Sequence, residues 1–351
     1  MNQETLSRLD GERRAQQSLL HLLCAVSIWR MAMTRILPLC GAAAWWVTLL
    51  CLLPGLLTAL LFRFAMHLTG TFTLVEAMRA VLGKGGAVLL SAALALPLAA
   101  DALASLTALI TLFTQGIGTR GTPLTLALLT GGALIVSLHR EGLSRGAYFL
   151  RWGMIGAVAL LAIFALAEVR LDGIFPLYGD GRASVLAAVE AGVSLAWPLT
   201  LLLTSQSPRC TNRLRAASVP VLLPSGLLLL LTLTTPHELL VRESGLAAAL
   251  MLPIRYAPNA LRVLALSLMM LCFFLTIGAS VQLLAGQVTV HMKATPGWLP
   301  CALLAVLLLT QAADASLLWH ALGVLGPWVL LPLLLLSLCT WPIALTRRKR
   351  P

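Results

Sequence analysis

The chain has 351 residues, of which 59% are apolar and 11% charged, with a formal net charge of +12 and a mean hydropathy of +0.92. Soluble domains run about 45–50% apolar and about 25% charged, so the chain lacks the polar surface of a cytosolic enzyme, a secreted disulfide scaffold or a disordered segment. Its lysines and arginines fall between apolar runs rather than on a soluble face, which excludes a nucleic-acid binder and leaves a polytopic membrane protein.

Residues 1–17 are polar and mixed in charge, without the apolar core and small-residue cleavage site of a signal peptide, and read as a cytoplasmic tail. Beyond them, each crossing of a hydrocarbon core about 30 Å thick needs roughly 20 apolar residues. The runs that meet or approach this are, in order, Ser18–Leu39, Ala42–Phe62, Gly86–Phe113, Pro123–Leu138, Trp152–Ala167, Val185–Thr204, Ser218–Pro236, Leu264–Leu284, Trp298–Ala312 and Leu317–Leu345. Residues 18–345 are thus expected to form one domain of ten transmembrane helices, with 346–351 as a basic cytoplasmic tail. With the N-terminus inside, seventeen of the 25 basic residues face the cytoplasm and seven, Arg35 among them, face outward. That bias agrees with the rule that loop charge sets orientation.

Between spans 2 and 3, Thr73–Lys84 places Leu74, Ala77, Met78, Val81 and Leu82 on one face, the period of a short interfacial amphipathic helix. Gly116-Ile-Gly-Thr-Arg-Gly121 matches a dinucleotide fingerprint in letters only. It joins two membrane spans instead of opening a helix after a strand, and reads as a turn. The seven cysteines form no paired framework and the six histidines no ligand set; neither a metal nor a cofactor is expected. No loop is long enough to build a polar active site, so the chain is not expected to be an enzyme.

Ionisable residues at membrane depth are costly, about 2.5–3.5 kcal/mol on insertion scales, and mark function by default. Arg30 lies midway along span 1, Asp101 midway along span 3 and Glu190 in the first half of span 6. One arginine against two acids allows one pair and one spare carboxylate, a stoichiometry that suits ion or proton coupling. Spans 1 and 6 also echo one another. Val26-Ser27-Ile28-Trp29 precedes Arg30, and Val193-Ser194-Leu195-Ala196-Trp197 precedes Pro198. Transporters built from inverted repeats break such spans near the midplane. Gly192 and Pro198 suit a broken span 6, whereas span 1 has no glycine near its middle.

Several segments resemble the spore-germination permeases, the B subunits of nutrient germinant receptors within the amino acid–polyamine–organocation superfamily. They are Gly41-Ala-Ala-Ala-Trp45 at the start of span 2, Phe72-Thr-Leu-Val-Glu76 with Val81-Leu-Gly-Lys84, Thr122-Pro123, Gly142-Leu-Ser-Arg145, and Phe175-Pro-Leu-Tyr-Gly-Asp-Gly181. Their order and spacing hold from about residue 40 to 205. The chain departs from the family in span 1, where Ser-Ile-Trp-Arg replaces the glycine-containing break. It departs again in span 8, where Leu264–Met270 after Arg262 lacks the family's acidic residue and tryptophan.

The resemblance implies an all-α integral membrane protein with a LeuT-like 5+5 inverted repeat, in the inner membrane of a bacterial endospore, with both termini cytoplasmic. It implies binding of a small nutrient, an amino acid, and partnership with A and C receptor subunits. In that fold Ser27, Arg30, Asp101, Glu190, Gly192 and Ser194 would line the pocket. Arg30 would hold the nutrient carboxylate and Asp101 or Glu190 its ammonium; alternatively, these residues neutralise one another and leave only backbone groups for the ligand. A free-standing amino acid permease is the rival on the same fold.

Overall fold

A computed structural model describes residues 3–71, 73–113, 132, 140–165, 169, 178, 181–204, 213–235, 259–289, 297–313, 328 and 330–348. The elements among them are helical throughout: α1 (Gln3–Met31), a π-helical segment (Ala32–Ile36), α2 (Leu37–Cys40), a 3₁₀ turn (Gly41–Ala43) and α3 (Ala44–Thr69), then α4 (Leu74–Thr111) and α5 (Arg140–Ala165). They continue with α6 (Arg182–Gly192), a second 3₁₀ segment (Val193–Ala196), α7 (Trp197–Thr204), α8 (Arg213–Thr234), α9 (Asn259–Val288), α10 (Leu299–Ala313) and α11 (Leu330–Arg348).

Four helical stretches are long and apolar enough to cross a membrane: Gln17–Thr69, Leu74–Thr111, Arg182–Leu202 and Asn259–Val288. The first has 53 residues, about 80 Å at helical rise, enough for two crossings. Gly41 divides it at the expected boundary, with φ of 47°, a conformation that glycine adopts without a Cβ penalty. The chain therefore has the make-up of a multi-pass membrane protein. The described helices fall where spans 1–3 and 5–10 are expected, α5 beginning earlier than the apolar run that marks it. Span 4 and the Gly116–Gly121 turn lie outside the described residues.

The segment between spans 2 and 3 is a helix, as its period predicts. Thr73 caps it by accepting the Glu76 amide at 3.2 Å, and Gly83, at φ 74°, separates it from the long span that follows within α4. Leu74, Ala77, Met78 and Val81 are buried while Glu76 and Arg79 are exposed. Its apolar face is covered by protein: Val81 packs in a cluster with Ala65 of α3 and Ala344 of α11, and Leu82 lies against it.

Burial runs through the centre of the bundle. α1 packs against α5, α7, α8 and α9, while α4 packs most extensively on α9 and α3 on α11. Hydroxyls in such an apolar interior need partners, and most take the carbonyl one turn back on their own helix. Thr48 bonds Ala44 at 2.7 Å, Thr58 bonds Pro54 at 2.8 Å, Thr204 bonds Thr200 at 2.6 Å and Thr276 bonds Cys272 at 2.7 Å.

Candidate functional site

Two interrupted spans lie side by side and antiparallel. α1 packs on α7, while the π segment and α2 pack on α6, so the first half of each span meets the second half of the other. Their irregular segments meet as well: Arg35 Nη1 of the π segment donates to Ser194 Oγ of the 3₁₀ segment at 3.4 Å. Each interruption ends two residues before a proline, Ile36 before Pro38 and Ala196 before Pro198. A proline inside a helix removes one amide and crowds the carbonyl four residues back, here that of Thr34 or Ser194. Span 1 is therefore irregular without a glycine, its backbone staying helical through the π segment. The signal in its sequence is Pro38, and π-helical turns of this kind recur at functional sites.

Glycines let these spans approach span 2. A Cβ on Gly192 would sit 2.5 Å from Cys51 Sγ and 3.0 Å from Ile36 Cδ1, and a Cβ on Gly55 would collide with the Ala196 backbone carbonyl. Ala196 therefore packs directly on the α3 backbone, which holds the interrupted segment in place.

Beside this junction sits a buried ion pair. Arg30 Nη2 of α1 donates to Asp101 Oδ1 of α4 at 2.6 Å, and Ser280 Oγ of α9 donates to Asp101 Oδ2 at 3.1 Å. Arg30 is 5% exposed and Asp101 2%, so both charges are withdrawn from solvent. Taking two ions into a low dielectric is costly, and their attraction repays it only with good geometry and further hydrogen bonds. The carboxylate meets the second condition through Ser280, whereas the guanidinium meets it only in part. Asp101 is the one buried carboxylate among the described residues.

Other polar atoms around the pair have no protein partner. Arg30 Nε, Ser27 Oγ, Ser105 Oγ and Thr200 Oγ1 are buried without a hydrogen bond. Ser27 lies about one helical turn before Arg30 and Ser105 one turn after Asp101, while Thr200 lies on α7 against α1. The back-bonding that satisfies Thr48 or Thr276 is absent here, and a buried polar atom left without a partner costs about 1–3 kcal/mol. Buried groups without a protein partner are the ones a small polar molecule or water could satisfy.

Five of the six residues singled out in the sequence fall in this region. Arg30 and Asp101 touch, Ser27 is buried about one turn from Arg30, and Gly192 and Ser194 belong to the span 6 interruption. Glu190 stands apart: it is exposed and lines a groove with Pro54, Val193, Trp328 and residues of α11. Ser280 and Arg35 are additions. Serines are common in these spans, so nothing in sequence distinguishes Ser280. Arg35, expected at the outer end of span 1, lies within the π segment of that span.

The fold and the site together define a helical, multi-pass membrane protein with two interrupted, antiparallel spans around a buried charge pair. No family model matches the chain, and no curated protein matches it either.

Proposed function

We propose that the chain is the B subunit of a spore nutrient germinant receptor, a ten-span protein with a 5+5 inverted repeat that binds a small amino acid-like nutrient between spans 1 and 6. The observation that carries this reading is the antiparallel pairing of the two irregular spans, because transporters with inverted repeats bind their ligands where two such spans meet. The motif resemblance from residue 40 to 205 supports the family. Arg30 Nη2 and Asp101 pair with each other, so the groups left for the nutrient are the hydroxyls of Ser27, Ser105 and Thr200 and Arg30 Nε. The pairing also favours sensing over proton-coupled uptake, since the carboxylate at the core is held by an arginine.

Deleting the gene should leave spores forming normally but unresponsive to one particular nutrient, with amino acid uptake by growing cells unchanged; germination assays against a nutrient panel and uptake of labelled amino acids read this directly. Intact germination to every nutrient together with lost uptake would establish the permease instead. The charge bias further places the termini and the 209–215 loop in the cytoplasm. Reporter fusions at Gly181 and Asn212 should therefore report opposite sides of the membrane, and two fusions on one side would remove the ten-span topology.

A further inference from the structure

The amphipathic helix between spans 2 and 3 has its apolar face covered by α3 and α11, and that packing brings the ends of three apolar runs together. On α3 the run stops at Phe62 and Arg63 follows. On α4 Arg79 and Lys84 precede the long span, and on α11 the run stops at Leu345 and Arg347 and Arg348 follow. Ala65, Val81 and Ala344 pack in one cluster, so each of these basic residues lies within a few positions of a single junction. A place where three apolar runs end together is an edge of the hydrocarbon, whichever way the chain is oriented.

The charge at this junction is one-sided. Glu76 is the only acid between Arg63 and Lys84, and α11 has none. Arg63 is half-buried, Arg79 and Lys84 are exposed, and none of the three forms an ion pair among the described residues. Beside these charges the surface is apolar. α3 and α11 pack against each other, and just inside the junction they expose Leu60 and Phe64 on one helix and Leu338 and Trp341 on the other. A free phosphate or a soluble acidic protein would meet the charges and leave those side chains uncovered. A molecule with an anionic head and acyl chains meets both, and basic clusters at the ends of membrane helices bind such lipids.

We propose that this junction is a binding site for an anionic phospholipid. Arg63, Arg79 and Lys84 hold its phosphate, the planar guanidinium donors matching the phosphate oxygens. The positive charges of Arg347 and Arg348 reinforce the attraction, and the acyl chains lie along the exposed faces of α3 and α11. The site rests on the multi-pass architecture alone, and its test needs no nutrient.

The test titrates the purified full chain in detergent with phosphatidylglycerol, with phosphatidylcholine of the same acyl chains, and with glycerol phosphate, and reads bound lipid by native mass spectrometry. Phosphatidylglycerol should bind at least ten-fold more tightly than phosphatidylcholine, and millimolar glycerol phosphate should not displace it. Arg63→Gln/Arg79→Gln/Lys84→Gln should weaken it ten-fold or more. The control Arg145→Gln/Arg151→Gln/Arg182→Gln, which removes the same charge elsewhere, should leave it unchanged. If the first triple variant is poorly recovered, Arg79→Gln and Lys84→Gln alone, at exposed side chains, should each weaken binding about five-fold. Equal binding of the two lipids, an equal loss in the control, or displacement by glycerol phosphate would overturn the proposal.

Discussion

Replacing Asp101 by leucine should destabilise the protein by about 3–5 kcal/mol, because it strands the Arg30 guanidinium without a counter-ion in a buried site. The double variant Arg30→Leu/Asp101→Leu should recover most of that loss, since an apolar pair of similar volume carries no uncompensated charge. Thermal unfolding of the purified protein in detergent measures both. A double variant as unstable as the single one would mean that the pair does not act as a unit. The two variants also separate stability from function. If the hydroxyls and Arg30 Nε beside the pair hold the ligand, the double variant should be folded and yet unresponsive, whereas loss of the exposed Arg182 should change neither property.

Gly55→Ala should be among the most damaging single-methyl changes in the chain. Its new carbon would meet the backbone of Ala196, which cannot rotate aside as a side chain can, and overpacking of this kind costs about 1–3 kcal/mol or more. Gly192→Ala meets Cys51 Sγ first, so adding Cys51→Ala should relieve much of its cost. Gly286→Ala on α9 has nothing within 4 Å of the new carbon and should be neutral, or stabilising by up to about 1 kcal/mol through helix propensity. Equal melting temperatures for Gly55→Ala and Gly286→Ala would show that span 2 does not rest on the span 6 interruption.

The positions of most described helices were legible because run length is enough to mark an apolar helix. The amphipathic helix after span 2 was legible from its period, although that period alone did not say that α3 and α11 would cover its apolar face. The costly residues Arg30 and Asp101 were legible as a possible pair from their mid-span positions. The irregularity in span 1 carries no glycine to mark it in the sequence; its signal is Pro38, two residues after the π-helical segment. Ser280 was illegible: a serine that turns toward a carboxylate has the same surroundings in sequence as one that bonds its own helix, and only the neighbouring helix distinguishes them.

The back-bonded hydroxyls have a mechanical consequence. A threonine that spends its proton on its own helix contributes polarity without friction, because no bond to a neighbour must break when two helices shift. Thr48, Thr58, Thr204 and Thr276 are of this kind, whereas Arg30, Asp101 and Ser280 tie three different helices at one level. Helices joined through such hydroxyls can shift without breaking those bonds, whereas a signal arriving at the Arg30–Asp101–Ser280 knot is felt on three helices at once.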